Sequence, residues 1–179
     1  MSYKILNSEE IYRGRAFNVR RDEVALPDGR STRLDIVEHV GAVTILPLDA
    51  DGCIWFVRQY RHPAGLEILE LPAGTLDQDE FPEACAHREI REEIGMAAGR
   101  LEKLGEFYLA PGYSSEYMYV FLATELSHAP LEQDDDEFLR VDVIPLERVF
   151  EMARQGQIND AKTLAALYLF SSQNIPSVV

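Results

Sequence analysis

The chain has 179 residues, of which 46% are hydrophobic, and a formal net charge of −14. That length is one domain by the usual prior and enough to bury a real core, while the negative charge argues against a nucleic-acid backbone or an anionic membrane as partner, since both call for cationic surface. Cys53 and Cys85 are the only cysteines and show no zinc-type spacing, so a disulfide framework is excluded and buried or half-buried thiols are expected.

Residues 1–10 are polar, unlike a signal peptide, and no stretch approaches the ~18 apolar residues of a membrane span, so a reducing cytoplasm is the expected setting. Residues 17–26 and 33–37 flank Pro27-Asp28-Gly29-Arg30, which has turn chemistry, and predict an N-terminal hairpin or short antiparallel sheet. Residues 42–48 and 53–60 flank Asp49-Ala50-Asp51-Gly52 and read as a second hairpin, apolar enough to be core. A short extended run at 66–71 is stopped by Pro72, and 117–123 and 138–144 are further strands. Helical spacing returns at 146–155, ending near Gly156, and at 161–170. Strands with one helix between them and helices at the end suggest an α/β sandwich with a mixed sheet.

The helix between the strands carries the chemistry. Pro82 suits a first turn, Asp79, Glu80 and Glu83 place negative charge at the positive end of the dipole, and Gly95 suits the left-handed position after the last turn, giving boundaries near 81 and 94. At 100° per residue Ala86, Ile90 and Ile94 form an apolar stripe, Glu89, Glu92 and Glu93 an arc beside it, and Arg88 and Arg91 the side opposite those acids. Glu89 and Glu93 stand one above the other, and like charges so placed repel by a few tenths of a kcal/mol per pair. A divalent cation turns that repulsion into binding, and hard oxygen donors favour Mg²⁺ or Mn²⁺. For an arbitrary acidic run, a merely solvated helix face would be the commoner meaning.

The segment GTLDQDEFPEACAHREIREEIGM, residues 74–96, resembles the Nudix box G-x5-E-x7-R-E-U-x-E-E-x-G-U, where U is a bulky aliphatic residue. Gly74, Glu80, Arg88, Glu89, Ile90, Glu92, Glu93 and Gly95 fill it, and Met96 takes the last position in place of the usual Ile, Leu or Val. Outside the box, VRQYRHPAGLEILELPAG and FYLAPGYSSEYMYVFLA look like the ADP-ribose pyrophosphatase and nucleotide-sugar hydrolase branch, with Pro111 where that branch usually carries a proline. The resemblance implies an α/β/α sandwich with a mixed sheet over residues 40–179, plus an N-terminal antiparallel sheet over 1–39 exchanged across a homodimer. It also implies hydrolysis of ADP-ribose to AMP and ribose 5-phosphate, with GDP-mannose or another nucleoside diphosphate sugar as the alternative substrate. A nucleotide-binding module that regulates a partner is a third reading, which the complete set of box glutamates disfavours.

By the same resemblance, Glu89 and Glu93 hold the metal ions, Glu92 is a further ligand or a base, and the carbonyl of Ala73 is a neutral ligand. Arg88 orients a glutamate by hydrogen bonding, and Glu80 is a ligand or, preferably, a structural partner. Arg61 matches the arginine near the diphosphate, and Glu70 a carboxylate close to substrate or metals. Arg15 and Arg33 belong to the sheet that reaches toward the partner's nucleotide, and Gly112 and Glu116 to the loop at the ribose end. Glu137, in the acidic run 132–137, stands where the family places a catalytic base. Trp55, Tyr12, Phe17 and Tyr113 are candidates for stacking on the base. His39, His62, His87 and His128 are scattered and give no ligand or acid–base constellation.

Overall fold

A computed structural model describes residues 3–132 and 138–174. The chain divides into two compact units, one made of Met1–Gly41 with Phe107–Tyr117 and the other of Ala42–Glu106 with Met118–Val179.

The first unit is built on an antiparallel sheet of β1 (Lys4–Arg13), β2 (Asn18–Ala25) and β3 (Ser31–Glu38), in that order. The turn between β2 and β3 lies where Pro27 to Arg30 predicts it, with Gly29 in the left-handed region at φ 87°. The polar run in β1 hides its strand from a hydrophobicity reading, because all ten of its residues remain exposed. The segment 107–117 joins this unit through the end of β3: Val37 N–H donates to the Tyr113 carbonyl at 2.8 Å and Ser115 N–H to the Val37 carbonyl at 2.9 Å.

The second unit has two sheets. The strands β4 (Ala42–Pro47), β7 (Ala73–Thr75), β8 (Met96–Tyr108) and β9 (Tyr117–His128) form a sheet of order β7-β4-β9-β8, with β4 parallel to β9 and antiparallel to β7. The strands β5 (Cys53–Arg61), β6 (Leu66–Glu70) and β10 (Arg140–Pro145) form an antiparallel sheet of order β10-β5-β6. The expected pairing of β4 and β5 as a hairpin is corrected: the two strands lie in different sheets, and the connection between them keeps an isolated bridge between Leu48 and Ile54 and a bond from Asp49 N–H to the Cys53 carbonyl at 3.0 Å. The turn chemistry at 49–52 is real, but a turn does not decide partners: β4, buried along its whole length, pairs with β7 and β9 instead.

Among the described residues three helices complete the unit: α1 (Pro82–Ile94), α2 (Leu146–Arg154) and α3 (Ala161–Asn174). Val43 and Ile45 of β4 pack with Cys85, Ala86, Ile90 and Ile94 of α1, so the predicted apolar stripe is the buried one. Side chains alternate along a strand, which turns Thr44 and Leu46 to the other face of β4, and α3 is the second helix in contact with that strand. The result is the expected α/β sandwich with a mixed sheet. Pro82 opens α1, and Gly95, at φ 70°, ends it by donating its N–H to the Ile90 carbonyl. Cys85 is buried and Cys53 half-buried, as expected. Among the described residues no helix is long and apolar enough to cross a membrane, which says nothing of membrane β-barrels.

Candidate active site

The box helix lays its acids against β7. Glu93 is 4% exposed and accepts the Ala73 N–H at 2.9 Å, so Ala73 meets the predicted metal-site glutamate through its amide. Glu89 is 8% exposed, and its carboxyl occupies the space that a side chain on Gly74 would need: a Cβ there would collide with both carboxyl oxygens. At the first glycine of the box a side chain would thus have to displace the Glu89 carboxyl, an effect of close approach rather than of a positive φ.

Arg88 gathers the remaining acids. Its Nη1 donates to Glu89 Oε1 at 2.6 Å and to Glu92 Oε2 at 2.9 Å, and its Nη2 to Glu80 Oε2 at 2.9 Å. The helical-wheel expectation that Arg88 lies opposite the acids is corrected by these contacts. Backbone angle sets where Cβ starts, but the arginine stem is long enough to carry the guanidinium round to the acidic side. The expectation that it hydrogen-bonds a glutamate is the part these contacts bear on. Glu80 also accepts the Asp77 N–H at 3.0 Å, which fits a structural partner that staples the loop 75–81 to α1.

The residues fit a divalent metal by their chemistry. Glu89, Glu92 and Glu93 are hard oxygen donors of the kind Mg²⁺ and Mn²⁺ take, and the Gly74 cradle keeps the Glu89 carboxyl where a bulkier residue would displace it. Among the described residues no three His, Cys, Asp or Glu side chains are already grouped as a metal cluster. In this arrangement the arginine supplies positive charge to the acids.

The electrostatics of the staple give a pH signature. The Arg88 hydrogen bond, helped by the Asp77 amide and opposed by burial, pulls the Glu80 carboxyl down from 4.5 to about 2. The Arg88 guanidinium is pushed further up, first by that same bond. A carboxyl lowered on folding contributes stability that is full above its unfolded value and is lost as pH falls through the folded one. Glu80→Gln is therefore expected to cost about 1–2 kcal/mol near neutral pH and to flatten the acid limb of stability between about pH 4.5 and about pH 2. Urea denaturation of both proteins across that range checks it, and parallel acid limbs would remove Glu80 from the staple.

A second charged group lies at the ends of β5 and β6. Arg61 donates through Nε to Glu70 Oε1 at 2.8 Å and through Nη2 to Glu70 Oε2 at 2.9 Å, a fork that leaves Nη1 outside the pairing. The side chain of Arg61 is 44% exposed while Glu70 is 2% exposed. Burial alone would raise the Glu70 carboxyl, but the Arg61 bonds and the nearby Lys162 charge bring it below its ordinary value. Arg61 is raised, first by its bond to Glu70, and it also feels the charge of Glu93, which ties this pair electrostatically to the box helix.

The structure thus brings Arg61, Glu70, Ala73, Arg88, Glu89, Glu92 and Glu93 into one unit. Arg15, Arg33, Gly112 and Glu116 lie in the other, with Arg15 in the connection between β1 and β2 and Arg33 on β3, both exposed. Glu137 lies outside the described residues. Sequence reasoning missed Lys162, Asp160 and Thr163, at the start of α3. Asp160 just before an apolar periodic run is an N-cap signal, and it does accept the Thr163 N–H at 2.9 Å, but nothing local shows that Lys162 reaches Glu70.

Residues 38–167 match the NUDIX domain, and residues 3–33 match the nucleoside diphosphate sugar hydrolase N-terminal domain. The chain is 39% identical over 166 residues to the ADP-ribose pyrophosphatase of Bacillus subtilis (strain 168), covering 92% of this chain and 90% of the relative. It is 33% identical over 172 residues to the methanol dehydrogenase activator of Bacillus methanolicus, covering 95% and 93%. A crystal structure of an ADP compounds hydrolase superposes with a TM-score of 0.86 at 28% identity, covering 97% of this chain and 94% of that one. Likeness of this extent, with every box position filled, decides the family: the chain belongs to the Nudix hydrolases, enzymes that generally use divalent metal ions.

Proposed function

We propose that this Nudix hydrolase cleaves ADP-ribose to AMP and ribose 5-phosphate with Mg²⁺, which Mn²⁺ can replace, and that it works as a cytoplasmic homodimer. The observation that carries the substrate class is the Arg61–Glu70 fork beside the box glutamates, a cation for a diphosphate next to donors for a metal. Similarity to the ADP-ribose pyrophosphatase of Bacillus subtilis supports the choice of sugar nucleotide.

Glu89 and Glu93, joined by Glu92 and the Ala73 carbonyl, would hold the ions. Bound there, they would neutralise the diphosphate, lower the pKa of water and stabilise the leaving phosphate. The protein's own groups do the rest. Arg61 binds a diphosphate oxygen, oriented by Glu70. Arg88 fixes the rotamers of Glu89 and Glu92. A carboxylate, Glu92 or Glu137, takes the proton from the attacking water as its oxygen bonds to phosphorus and the bridging P–O bond breaks. Arg15, Arg33, Gly112 and Glu116 belong to the nucleotide and ribose ends.

The dimer reading rests on the N-terminal sheet. Tyr3, Ile5, Leu6, Ile11, Tyr12 and Phe17 are all between 44% and 55% exposed in the single chain, apolar side chains that a partner would cover. The occupant proposed is a second copy of the same sheet, which would bring Arg15 and Arg33 to the partner's nucleotide.

Incubation with Mg²⁺ and a panel of ADP-ribose, GDP-mannose, ADP-glucose, NADH and dinucleoside polyphosphates, with products identified by mass, tests the reaction. ADP-ribose should give the highest kcat/KM and yield AMP, and the same preparation should sediment as a dimer. A preference for GDP-mannose would replace the substrate, no hydrolysis of any compound would favour the regulatory module, and a fully active monomer would end the exchanged-sheet reading.

A further inference from the structure

Two cations meet the Glu70 carboxylate, Arg61 from β5 and Lys162 from α3. Lys162, the second residue of α3, also donates to Glu70 Oε2, and it reaches Asp160 Oδ1 at 3.1 Å. The lysine side chain is 11% exposed and both of its carboxylate partners are close, so it is held by the protein and does not face substrate. Asp160 in turn accepts the Thr163 N–H at 2.9 Å and the Thr163 hydroxyl at 2.6 Å. The Thr163 oxygen accepts the Leu71 N–H at 2.9 Å, two residues before Ala73, whose amide holds Glu93. The start of α3 therefore registers both the Glu70 carboxylate and the strand that receives the box glutamates.

The charge balance gives this arrangement a consequence. Arg61 and Lys162 balance Glu70 and Asp160, so the network is neutral as a whole. Charges superpose, so the Lys162 ammonium adds positive potential that offsets part of the Glu70 charge felt beside Arg61. We propose that Lys162 is a positioning residue for the diphosphate: by offsetting part of the Glu70 charge it keeps the site around the oriented Arg61 guanidinium positive, with Nη1 available to a phosphate oxygen. The proposal rests on the reading that this site binds a nucleoside diphosphate. Without Lys162 the network carries a net negative charge, and Glu70 draws Arg61 inward. Both effects weaken phosphate binding.

The test compares the parent with Lys162→Gln, Lys162→Arg, Arg61→Gln and the Arg61→Gln/Lys162→Gln double variant. For each, KM and kcat are measured on ADP-ribose, and the Kd of ADP is measured by calorimetry with a chelator present. Lys162→Gln should raise KM and Kd roughly tenfold while changing kcat less than about threefold, as expected when ground and transition states lose the same contact. Lys162→Arg should recover most of the loss. In the Arg61→Gln background, Lys162→Gln should add less than about twofold, because its route to substrate is already gone. Multiplying effects in the double variant, or a lower Tm with unchanged KM and Kd, would overturn the proposal. Should Lys162→Gln fail to fold, Glu70→Gln with and without Lys162→Gln removes the buried charges together, and a further rise in Kd from the second change would count against Lys162 acting through Glu70. Parent turnover with unchanged KM and Kd in Lys162→Gln overturns this proposal alone. ADP binding that responds to Lys162→Gln without parent turnover overturns the hydrolase reading alone.

Discussion

Glu93→Gln should reduce hydrolysis by roughly a thousandfold or more while leaving the metal-free protein as stable as the parent. The amide oxygen of glutamine can still accept the Ala73 N–H, so the backbone contact survives the substitution. What goes is one charge that is repelled by Glu89 and Glu92 and attracted by Arg61, and the two effects offset, so stability should change little. The divalent response separates the metal role from a structural one. Ligand bound only to the folded state stabilises it by about 2.7 kcal/mol at a hundredfold excess over Kd, or roughly 5–10 °C in Tm for a chain of this size. The parent should show that rise with Mg²⁺, and the variant should largely lose it. Melting curves with chelator and with excess Mg²⁺ decide between the two, and an intact Mg²⁺ shift in Glu93→Gln would remove this residue from the metal site.

Arg88→Met should be the most destabilising single change in the box, because it leaves Glu80, Glu89 and Glu92 without their shared cation. Breaking a largely buried charge pair from one side costs about 3–5 kcal/mol, which corresponds to a fall in Tm on the order of 10 °C. The loss should depend on conditions. A divalent ion supplies positive charge to Glu89 and Glu92 but does nothing for Glu80, so Mg²⁺ should restore part of the Tm and leave the remainder missing. Activity should fall with it, since the same contacts hold the glutamate rotamers. Full recovery of Tm in Mg²⁺ would show that the Glu80 staple contributes nothing, and an unchanged Tm without metal would show that the Arg88 contacts are dispensable.

The box helix was legible because its signals are local. The N1 proline, the C-terminal glycine and the period of Ala86, Ile90 and Ile94 are all set by residues within a few turns, and the structure returns the helix as Pro82–Ile94 with that stripe buried. The spacing of the glutamates was legible for the same reason, and with it the family. Strand positions followed from alternation and turns, within a residue or two for β2 to β6. The ones missed were β1, which is polar and exposed, β7, which has three residues, and β8, which runs directly on from the helix through Met96.

By itself, then, the sequence determined the helices and the strands with apolar alternation, that acids converge on one helix, and which enzyme family uses that pattern. Partnership was decided only in three dimensions. Whether β4 pairs with its neighbour in the chain or with β7 and β9 depends on which faces can be buried together, and turn chemistry at 49–52 is compatible with either. The side on which Arg88 acts depends on where the acids lie once β7 has packed against α1, because a long flexible stem can serve either side of a helix wheel. The pairing of Glu70 with Lys162 joins residues 92 apart in the chain, and only the packing of α3 brings a buried carboxylate and a buried ammonium to the same place. Local periodicity carries no information about such a contact, since it reports which face of an element is apolar and not what that face will meet.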